Sequence, residues 1–238
     1  MFNEQFGFLH ANKDIVGKEM IRKAFAPNFW RAENDNDRLG WRPTIHNGFW
    51  RDADKKLEDN TSIKVSTSSS EVSVSVTKKI EDVELGLTYT VMPDGSLNVN
   101  YAIMMGNNLP EPLRIGLKGQ LDKAYDTVTY FGRGPEENYS DRYDGVFYGR
   151  WTTTVADMMT QYVYPQENGN RTGVKWMCFS NEKGRGITIH GDQPLSMSAW
   201  NTTQEELNNA KHIGEPKLLP DSFTLNIELI QYGVGGTD

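Results

Sequence analysis

Cysteine, long apolar runs and excess positive charge are all scarce in this sequence. Cys178 is the only cysteine among 238 residues, which excludes an internal disulfide framework and a cysteine-rich zinc site. No stretch approaches the roughly 18 apolar residues that a transmembrane helix needs. The 25 basic and 32 acidic residues give a net charge of −7, which argues against nucleic-acid or membrane partners. The first residues carry no signal-peptide pattern, as in a cytoplasmic protein or a fragment of a periplasmic one.

Alternation of apolar and polar residues dominates the sequence and predicts strands. Valine alternates with serine or threonine over residues 72–77, as in a half-buried strand. The pattern returns over 85–91 and 97–103, on either side of the turn residues 92–95. Further strands are predicted at 114–121, 128–131, 146–151, 174–180, 186–190, 195–200 and 223–231. About ten strands joined by turns predict one all-β domain over residues 1–238, a large antiparallel sandwich.

Helical signals are confined to two short segments. Thr203 and Glu206 have the spacing of a capping box, which predicts a helix near residues 203–211. Apolar residues between 49 and 57 lie at roughly helical spacing and indicate a second helix. The serine-rich residues 66–70 are predicted to form a turn between strands.

The first candidate site is the polar segment 131–142. Its charged residues and one tyrosine are Arg133, Glu136, Glu137, Tyr139, Asp141 and Arg142. Two of the three acids could form a carboxylate pair for acid–base chemistry at a glycosidic bond. Alternatively, the acids pair with the two arginines and hold a long loop in place. We favour the second interpretation, because polar networks commonly fix long loops.

A second candidate is the segment 162–171, which combines tyrosines with amides. Aromatic rings stack on the apolar face of a sugar while amide and acid side chains bind its hydroxyls. The segment is therefore suited to sugar recognition. An alternative role is structural, with Glu167 and Arg171 as a buried ion pair.

The third and fourth candidates lie near the two ends of the chain. Asn34, Asp35, Asn36 and Asp37 look like a calcium loop, but the glycine and terminal glutamate of an EF-hand are misplaced. Their side chains could face sugar hydroxyls or cap turns. The glycine-rich residues 232–238 permit close approach to a ligand, or form a flexible end.

No metal site is expected from the histidines or the cysteine. The four histidines show neither HxH nor HExxH spacing. Cys178 stands between Met177 and Phe179 on a predicted strand, which indicates an inert thiol in the core.

Four segments in order give the sequence a family resemblance. They are Pro27-Asn28-Phe29-Trp30-Arg31-Ala32 with Asn34-Asp35-Asn36-Asp37 and Gly40, Gly132 through Arg142, Tyr164-Pro165-Gln166-Glu167-Asn168-Gly169, and Gly233-Val234-Gly235-Gly236. Together they closely resemble the C-terminal domain of the β-galactosidases of glycoside hydrolase family 2. The resemblance covers nearly the whole chain.

The resemblance implies a β-supersandwich similar to galactose mutarotase, packed against a TIM barrel. In this family the barrel holds both catalytic glutamates of a retaining mechanism, which lie about 5–5.5 Å apart. No segment of this chain matches the barrel, so the chain is expected to carry no catalytic residue and to be inactive alone. The family also implies a galactoside substrate, Mg²⁺ and a monovalent cation bound mainly by the barrel, and homo-oligomers. We therefore expect no cofactor or metal held by this chain.

The same resemblance assigns the border of the substrate site. It includes Asn34 to Asp37, Gly40 and Trp41, which match a mobile loop near the galactose. It also includes Gly235, Gly236 and Asp238, which in the family precede an aromatic residue that stacks on the substrate. The sequence stops before that aromatic, and residues 2–7 resemble an early hairpin, so we expect a domain truncated at both ends.

Two alternatives come from other functional classes. One is a stand-alone aldose-epimerase-like enzyme or carbohydrate-binding sandwich, for which His190 and Glu228 are the candidate acid and base. The other is a natural small subunit, since some bacterial β-galactosidases are split into a large and a small chain.

Overall fold

The computed structural model describes residues 9, 12–13, 16–58 and 61–235, apart from the side chain of Glu58. Eleven strands account for most of the regular structure in these residues. They are β1 (Ile21–Asn28), β2 (Thr61–Thr67), β3 (Val72–Ile80), β4 (Val83–Val91), β5 (Leu97–Met105), β6 (Arg114–Asp122), β7 (Thr127–Gly134), β8 (Phe147–Thr154), β9 (Arg171–Ser180), β10 (Gly186–Trp200) and β11 (Ser222–Gln231).

The strands form two antiparallel sheets. One has seven strands in the order β1-β6-β11-β10-β9-β7-β8, and the other has four in the order β2-β3-β4-β5. The smaller sheet is a simple meander with continuous register; the valine alternation and the turn at residues 92–95 predicted β3, β4 and β5 but not β2. The prediction of an all-β antiparallel sandwich is confirmed.

The predicted strands all occur, whereas β1 and β2 were not predicted. Residues 186–190 and 195–200 belong to one strand, β10, whose register against β9 shifts between His190 and Leu195. Cys178 is only partly buried, so its assignment to the core was wrong. It shares the outer face of β9 with Trp176, while its neighbours Met177 and Phe179 point into the core. The hairpin expected at residues 2–7 lies outside the described residues.

Two main hydrophobic cores hold the sheets. The first covers one face of the seven-stranded sheet, with Tyr130, Met177 and Phe223 among its buried members. The second joins the inner face of the smaller sheet to β1, β6 and the helical segment after β1, and Leu87 and Trp50 lie within it. Each core continues the period-2 apolar pattern of its strands, because alternate side chains of a strand share one face.

Helical structure is short and lies between the strands. The helices are α1 (Pro43–His46), α2 (Ala53–Glu58), α3 (Val155–Met158) and α4 (Gln204–Asn209), with 3₁₀ turns at Gly48–Asp52 and Lys123–Tyr125 and a π-helical turn at Asp37–Trp41. Both helical predictions are confirmed. The Thr203 hydroxyl caps α4 by accepting the Glu206 N–H at 3.2 Å. Within the described residues, every helix is too short or too polar to cross a membrane.

Candidate functional site

The structure brings the four predicted segments into contact with one another. We call residues 34–41, 133–142, 164–171 and 232–235 the four-segment cluster. Their contacts connect residues as far apart in sequence as Asn34 and Val234. The loop after β7 and the loop before β9 leave the same end of these two antiparallel strands, and the segment after β11 joins them through its contacts with Asn34, Asn36 and Asp141.

A buried ion pair shapes the segment that starts at Asn34. The Asp37 carboxylate lies 2.9 Å from the Arg31 guanidinium, and both side chains are fully buried. Asn34 and Asp37 also bond reciprocally: each side-chain oxygen accepts the backbone N–H of the other residue. Burial raises the pKa of Asp37, while Arg31 and the Asn34 N–H oppose that rise. Asp37 therefore stabilises the turn. This is the capping role that the sequence analysis considered for residues 34–37.

The C-terminal glycine-rich segment is fastened to this turn. The side-chain amides of Asn34 and Asn36 both donate to the Val234 carbonyl, at 3.1 and 2.9 Å. Trp41 stacks on Tyr232 with ring centroids 5.2 Å apart and an interplanar angle of 23°. The two ends of the predicted substrate border thus form one surface.

A third contact joins the glycine-rich segment to the loop after β7. Asp141 accepts a hydrogen bond from the Gly235 N–H. A Cβ atom at Gly233 would lie 2.5 Å from the Asp141 carboxylate carbon, so a larger residue there would displace this exposed side chain. The glycine-rich segment thus packs closely on Asp141 of this chain, and its approach to a ligand stays a prediction.

The segment after Tyr162 packs against the Asn34 turn from the other side. The Arg38 guanidinium lies 4.0 Å from the Tyr164 ring centroid and donates to the Pro165 carbonyl at 3.1 Å. The Asp35 N–H donates to the Gln166 side chain at 3.4 Å. The aromatic and amide groups proposed for sugar recognition are thus partly engaged by protein partners.

Glu137 ties the loop after β7 to the loop before β9. One carboxylate oxygen accepts from Arg142 and from the Tyr162 hydroxyl. The other accepts from the Thr160 hydroxyl at 2.8 Å and from the Gly169 N–H at 2.7 Å. With both oxygens saturated, Glu137 has the loop-fixing role that we favoured over acid–base chemistry.

The other charged residues of this loop have separate surroundings. Glu136 is exposed, and Asp141 bonds the glycine-rich segment, so the three acids do not form a carboxylate pair. Arg133 was expected to pair with an acid, which was wrong: its guanidinium stacks on Tyr143 and Tyr148, at 4.5 and 4.9 Å from the ring centroids. Stacking satisfies a planar guanidinium without a carboxylate.

Beneath the cluster, one arginine holds two buried glutamates. Arg114 lies 2.7 Å from Glu167 and 3.1 Å from Glu228, and all three side chains are buried. Burial disfavours the charge on Arg114, but the two glutamates outweigh it and raise the pKa of the guanidinium. Glu167 also accepts from the Gln231 amide at 3.1 Å. This network fixes the loop that carries Glu167 to the sheet.

The predicted ion pair between Glu167 and Arg171 was therefore wrong. Arg171 is buried but donates to the Tyr130 hydroxyl and to the carbonyls of Gly169 and Asn170. Sequence proximity suggested the pair, whereas the sheet brings Arg114 from β6 to Glu167.

Glu228 carries the largest carboxylate perturbation of the network. Burial raises its pKa from the ordinary 4.5 to about 7, against Arg114 and the Asn28 amide, with Glu167 adding to the rise. Asn28 donates to its Oε1 at 3.1 Å, and Tyr101 of the smaller sheet also faces it. Glu167 and Glu228 share one cation here. The ionised form of Glu228 is therefore less favourable than its neutral form in this environment.

Replacing Glu228 by glutamine is expected to make stability less dependent on pH. Because the pKa is higher in the folded state, this carboxyl contributes stability below pH 4.5 that is lost as pH rises through about 7. The free energy of unfolding of the wild type should therefore fall by roughly 3 kcal/mol between pH 4.5 and 8 because of this group. The variant should not show this fall. Urea unfolding at several pH values measures the difference.

The matched control is Glu182→Gln, at an exposed hairpin position. Its pH dependence should follow that of the wild type. Parallel pH profiles for the wild type and Glu228→Gln would contradict the assignment of a raised pKa to Glu228.

The epimerase alternative requires His190 and Glu228 to converge, and they do not. Glu228 is in register with Ser196 of β10, six residues beyond His190 on the same strand. At about 3.3 Å per residue this separation is on the order of 20 Å along the strand. Glu228 is also buried against Arg114 rather than open to a substrate.

Other predicted residues have few contacts or lie outside the described part of the chain. Gly40 is exposed in the π-helical turn. The Tyr139 ring is buried and lies 5.3 Å from the Arg142 guanidinium. Gly236 and Asp238 lie outside the described residues. In the described ranges, His, Cys, Asp and Glu side chains form no group of three suited to a metal ion.

Three residues to which the sequence analysis assigned no role complete the site, although Arg31 and Asn138 stood within recognised segments. Arg31 and Arg114 are the buried cations described above. The buried Asn138 side chain donates to the Arg133 and Glu136 carbonyls and accepts from Thr172. Burial of an arginine between strands distant in sequence leaves no local pattern.

Comparison with known proteins now identifies the family. A family model described as the β-galactosidase small chain matches residues 1–238. The chain belongs to this family. The resemblance drawn from the four segments is thereby confirmed, and the four-segment cluster is where those segments of the small-chain family meet in space.

Curated relatives agree with this membership. The chain is 34% identical to a β-galactosidase of Priestia megaterium over 92% of its length, and 35% identical to one of Halalkalibacterium halodurans over 100%. A β-galactosidase of Vibrio cholerae is 31% identical over the whole chain. The chain spans only 21–24% of the length of these relatives, so it corresponds to one part of a larger enzyme.

Proposed function

We propose that this chain forms the C-terminal part of a β-galactosidase and borders its galactoside-binding site. The relatives carry that name, and the chain corresponds to about a quarter of their length. One observation supports the site itself: Asn34 and Asn36 both hold the Val234 carbonyl, which joins the two predicted borders into one surface. The turn at Asp37–Trp41 and the glycine-rich segment would then face the substrate together.

In this proposal the catalytic glutamates lie in another part of the enzyme. Three acids of the four-segment cluster are engaged by donors of this chain: Asp37 by Arg31, Glu137 by Arg142 and Asp141 by Gly235. A retaining glycosidase needs two carboxyl groups free to reach the anomeric centre and the glycosidic oxygen. The same engagement leaves these acids poorly suited to Mg²⁺, so we propose that Mg²⁺ and the monovalent cation bind outside this chain.

The partner of this surface is proposed to be the catalytic barrel of the same enzyme, in a homo-oligomer with no role for nucleic acid or membrane. Large apolar side chains are exposed beside the cluster: Leu39 is 83%, Ile45 68% and Val163 78% exposed. Exposed apolar groups around a polar site are suited to burial against a further domain.

The first test is the release of nitrophenol from a nitrophenyl β-galactoside by the purified chain with Mg²⁺ present. No turnover is expected from a chain that shows a cooperative thermal transition. Turnover that survives exclusion of host β-galactosidase by mass spectrometry, and that Glu137→Gln abolishes, would overturn the proposal.

Replacing Trp41 by alanine in the complete β-galactosidase is expected to raise KM for the galactoside about tenfold. The substitution removes the ring that stacks on Tyr232 and so loosens the turn that borders the substrate. Steady-state kinetics with a nitrophenyl β-galactoside measures the change.

Trp176→Ala provides the matched control, because this tryptophan is also partly exposed but lies on β9 outside the four-segment cluster. Its KM should stay within about twofold of the wild-type value, a free-energy change typical of surface substitutions. An equal rise in KM for both variants would indicate general loosening and not a role at the substrate border.

A further inference from the structure

A cavity of about 150 Å³ lies outside the four-segment cluster. It opens between the polar face of β1 and β6, the helical residues 50–55 and helix α4. Phe29, Trp30 and Trp50 contribute apolar lining. Cavities of roughly this volume accommodate a single six-membered ring.

A secluded ammonium group lines this cavity. The Lys118 side chain is only 16% exposed, and its nearest acid is Glu205, at 3.7 Å. That separation exceeds hydrogen-bond distance, and no closer partner of the ammonium occurs among the described residues. Burial lowers the pKa of Lys118, against the opposing effect of Glu205 and Asp54. The group therefore has unused donor capacity inside the cavity.

Helix α4 adds an unused acceptor. Gln204 lines the same cavity and is 7% exposed, and its side-chain oxygen has no hydrogen-bond partner among the described residues. A buried carbonyl without a donor is unfavourable, and rotation of the Gln204 amide toward the cavity would let a ligand donate to it. Asn208 and Asn209 place two further amides on the lining.

The charges of the lining balance. Its cations are Arg51, Lys55 and Lys118, and its acids are Asp52, Asp54 and Glu205. A charged ligand would gain little from a lining with no net charge. The ligand must both accept a hydrogen bond from an ammonium and donate one to an amide oxygen. A ligand that carries hydroxyl groups can do both.

We propose that this cavity is a non-catalytic binding site for a neutral polyhydroxylated ring, such as one monosaccharide or a cyclitol. The Lys118 ammonium donates to a ring hydroxyl, and another hydroxyl donates to the Gln204 oxygen. Phe29, Trp30 and Trp50 contact the apolar part of the ring. The site shares no lining residue with the four-segment cluster and does not depend on the proposed function.

The test is a titration of the isotopically labelled chain with myo-inositol and, separately, with galactose, followed by NMR. Side-chain signals of Gln204, Asn208 and Asn209 and the Trp30 indole N–H should shift with a dissociation constant on the order of 1–10 mM. The Trp41 indole reports the four-segment cluster in the same spectra, so binding at the two places is distinguished.

Two variants address the polar contacts separately. Lys118→Met and Gln204→Met should each weaken binding by about tenfold, while Lys183→Met, at an exposed hairpin position, should leave it unchanged. Thermal unfolding checks that each variant is folded. If one of the two cavity variants does not fold, the other is sufficient to test the proposal.

Three results would overturn the proposal. The first is the absence of saturable shifts in the cavity signals up to about 100 mM of either polyol. The second is unchanged binding in the folded cavity variants. The third is tighter binding of inorganic phosphate than of the polyols at the same signals, which would make the site an anion site.

Discussion

Replacing Arg114 by methionine is expected to lower the free energy of unfolding by about 3–5 kcal/mol at neutral to alkaline pH. The substitution keeps an apolar stem of similar length but removes the cation between Glu167 and Glu228. Two carboxyl groups are then left buried without a positive partner, a much larger cost than the loss of an exposed ion pair. Urea unfolding followed by circular dichroism measures the change.

The pH dependence of this loss identifies its cause. Glu228 already has a pKa raised to about 7 with Arg114 present, and removing the cation favours its neutral form further. The loss should therefore be smaller at pH 5 than at pH 8. Arg150→Met, at an exposed position of β8, should stay within about 0.5 kcal/mol of the wild type. A loss of equal size at both pH values would indicate a packing defect instead of unpaired acids.

Replacing Asp37 by alanine is the second large effect, with an expected loss of about 3–5 kcal/mol. It leaves the fully buried Arg31 guanidinium without its anion and removes the hydrogen bond that the Asp37 carboxylate accepts from the Asn34 N–H, one of the two that close the turn. Because that turn holds the Val234 carbonyl, the glycine-rich segment should also loosen. Urea unfolding gives the stability, and Trp41 fluorescence reports the turn.

A double variant separates the buried charge from the loss of the turn. Asp37→Ala combined with Arg31→Met removes both charges and should recover much of the lost stability, since an apolar pair avoids the desolvation penalty. Trp41 fluorescence should remain altered, because the bond from the Asn34 N–H to the Asp37 carboxylate is still missing. Asp144→Ala, in an exposed loop, serves as the control. If the double variant is less stable than Asp37→Ala, the unpaired charge is not the cause.

Sequence reasoning succeeded where the signal was local. The valine alternation over residues 72–77 predicted β3, and the capping residues at 203 and 206 predicted α4. It was wrong for Cys178, because the sequence does not state which face of β9 is covered. It was also wrong for Arg133 and for the Glu167–Arg171 pair, since nearby charges were taken as partners.

The sequence by itself determined nine of the eleven strands, the family and the four segments that meet at the site. These follow from side-chain period, turn chemistry and short motifs, which are properties of neighbouring residues. Only the tertiary structure decided that Arg114 serves Glu167 and Glu228, and that Val234 is held by Asn34 and Asn36. The physical reason is that a sheet with strand order β1-β6-β11-β10-β9-β7-β8 makes neighbours of residues more than 100 positions apart. Buried charges find their partners across that order, where sequence distance carries no information.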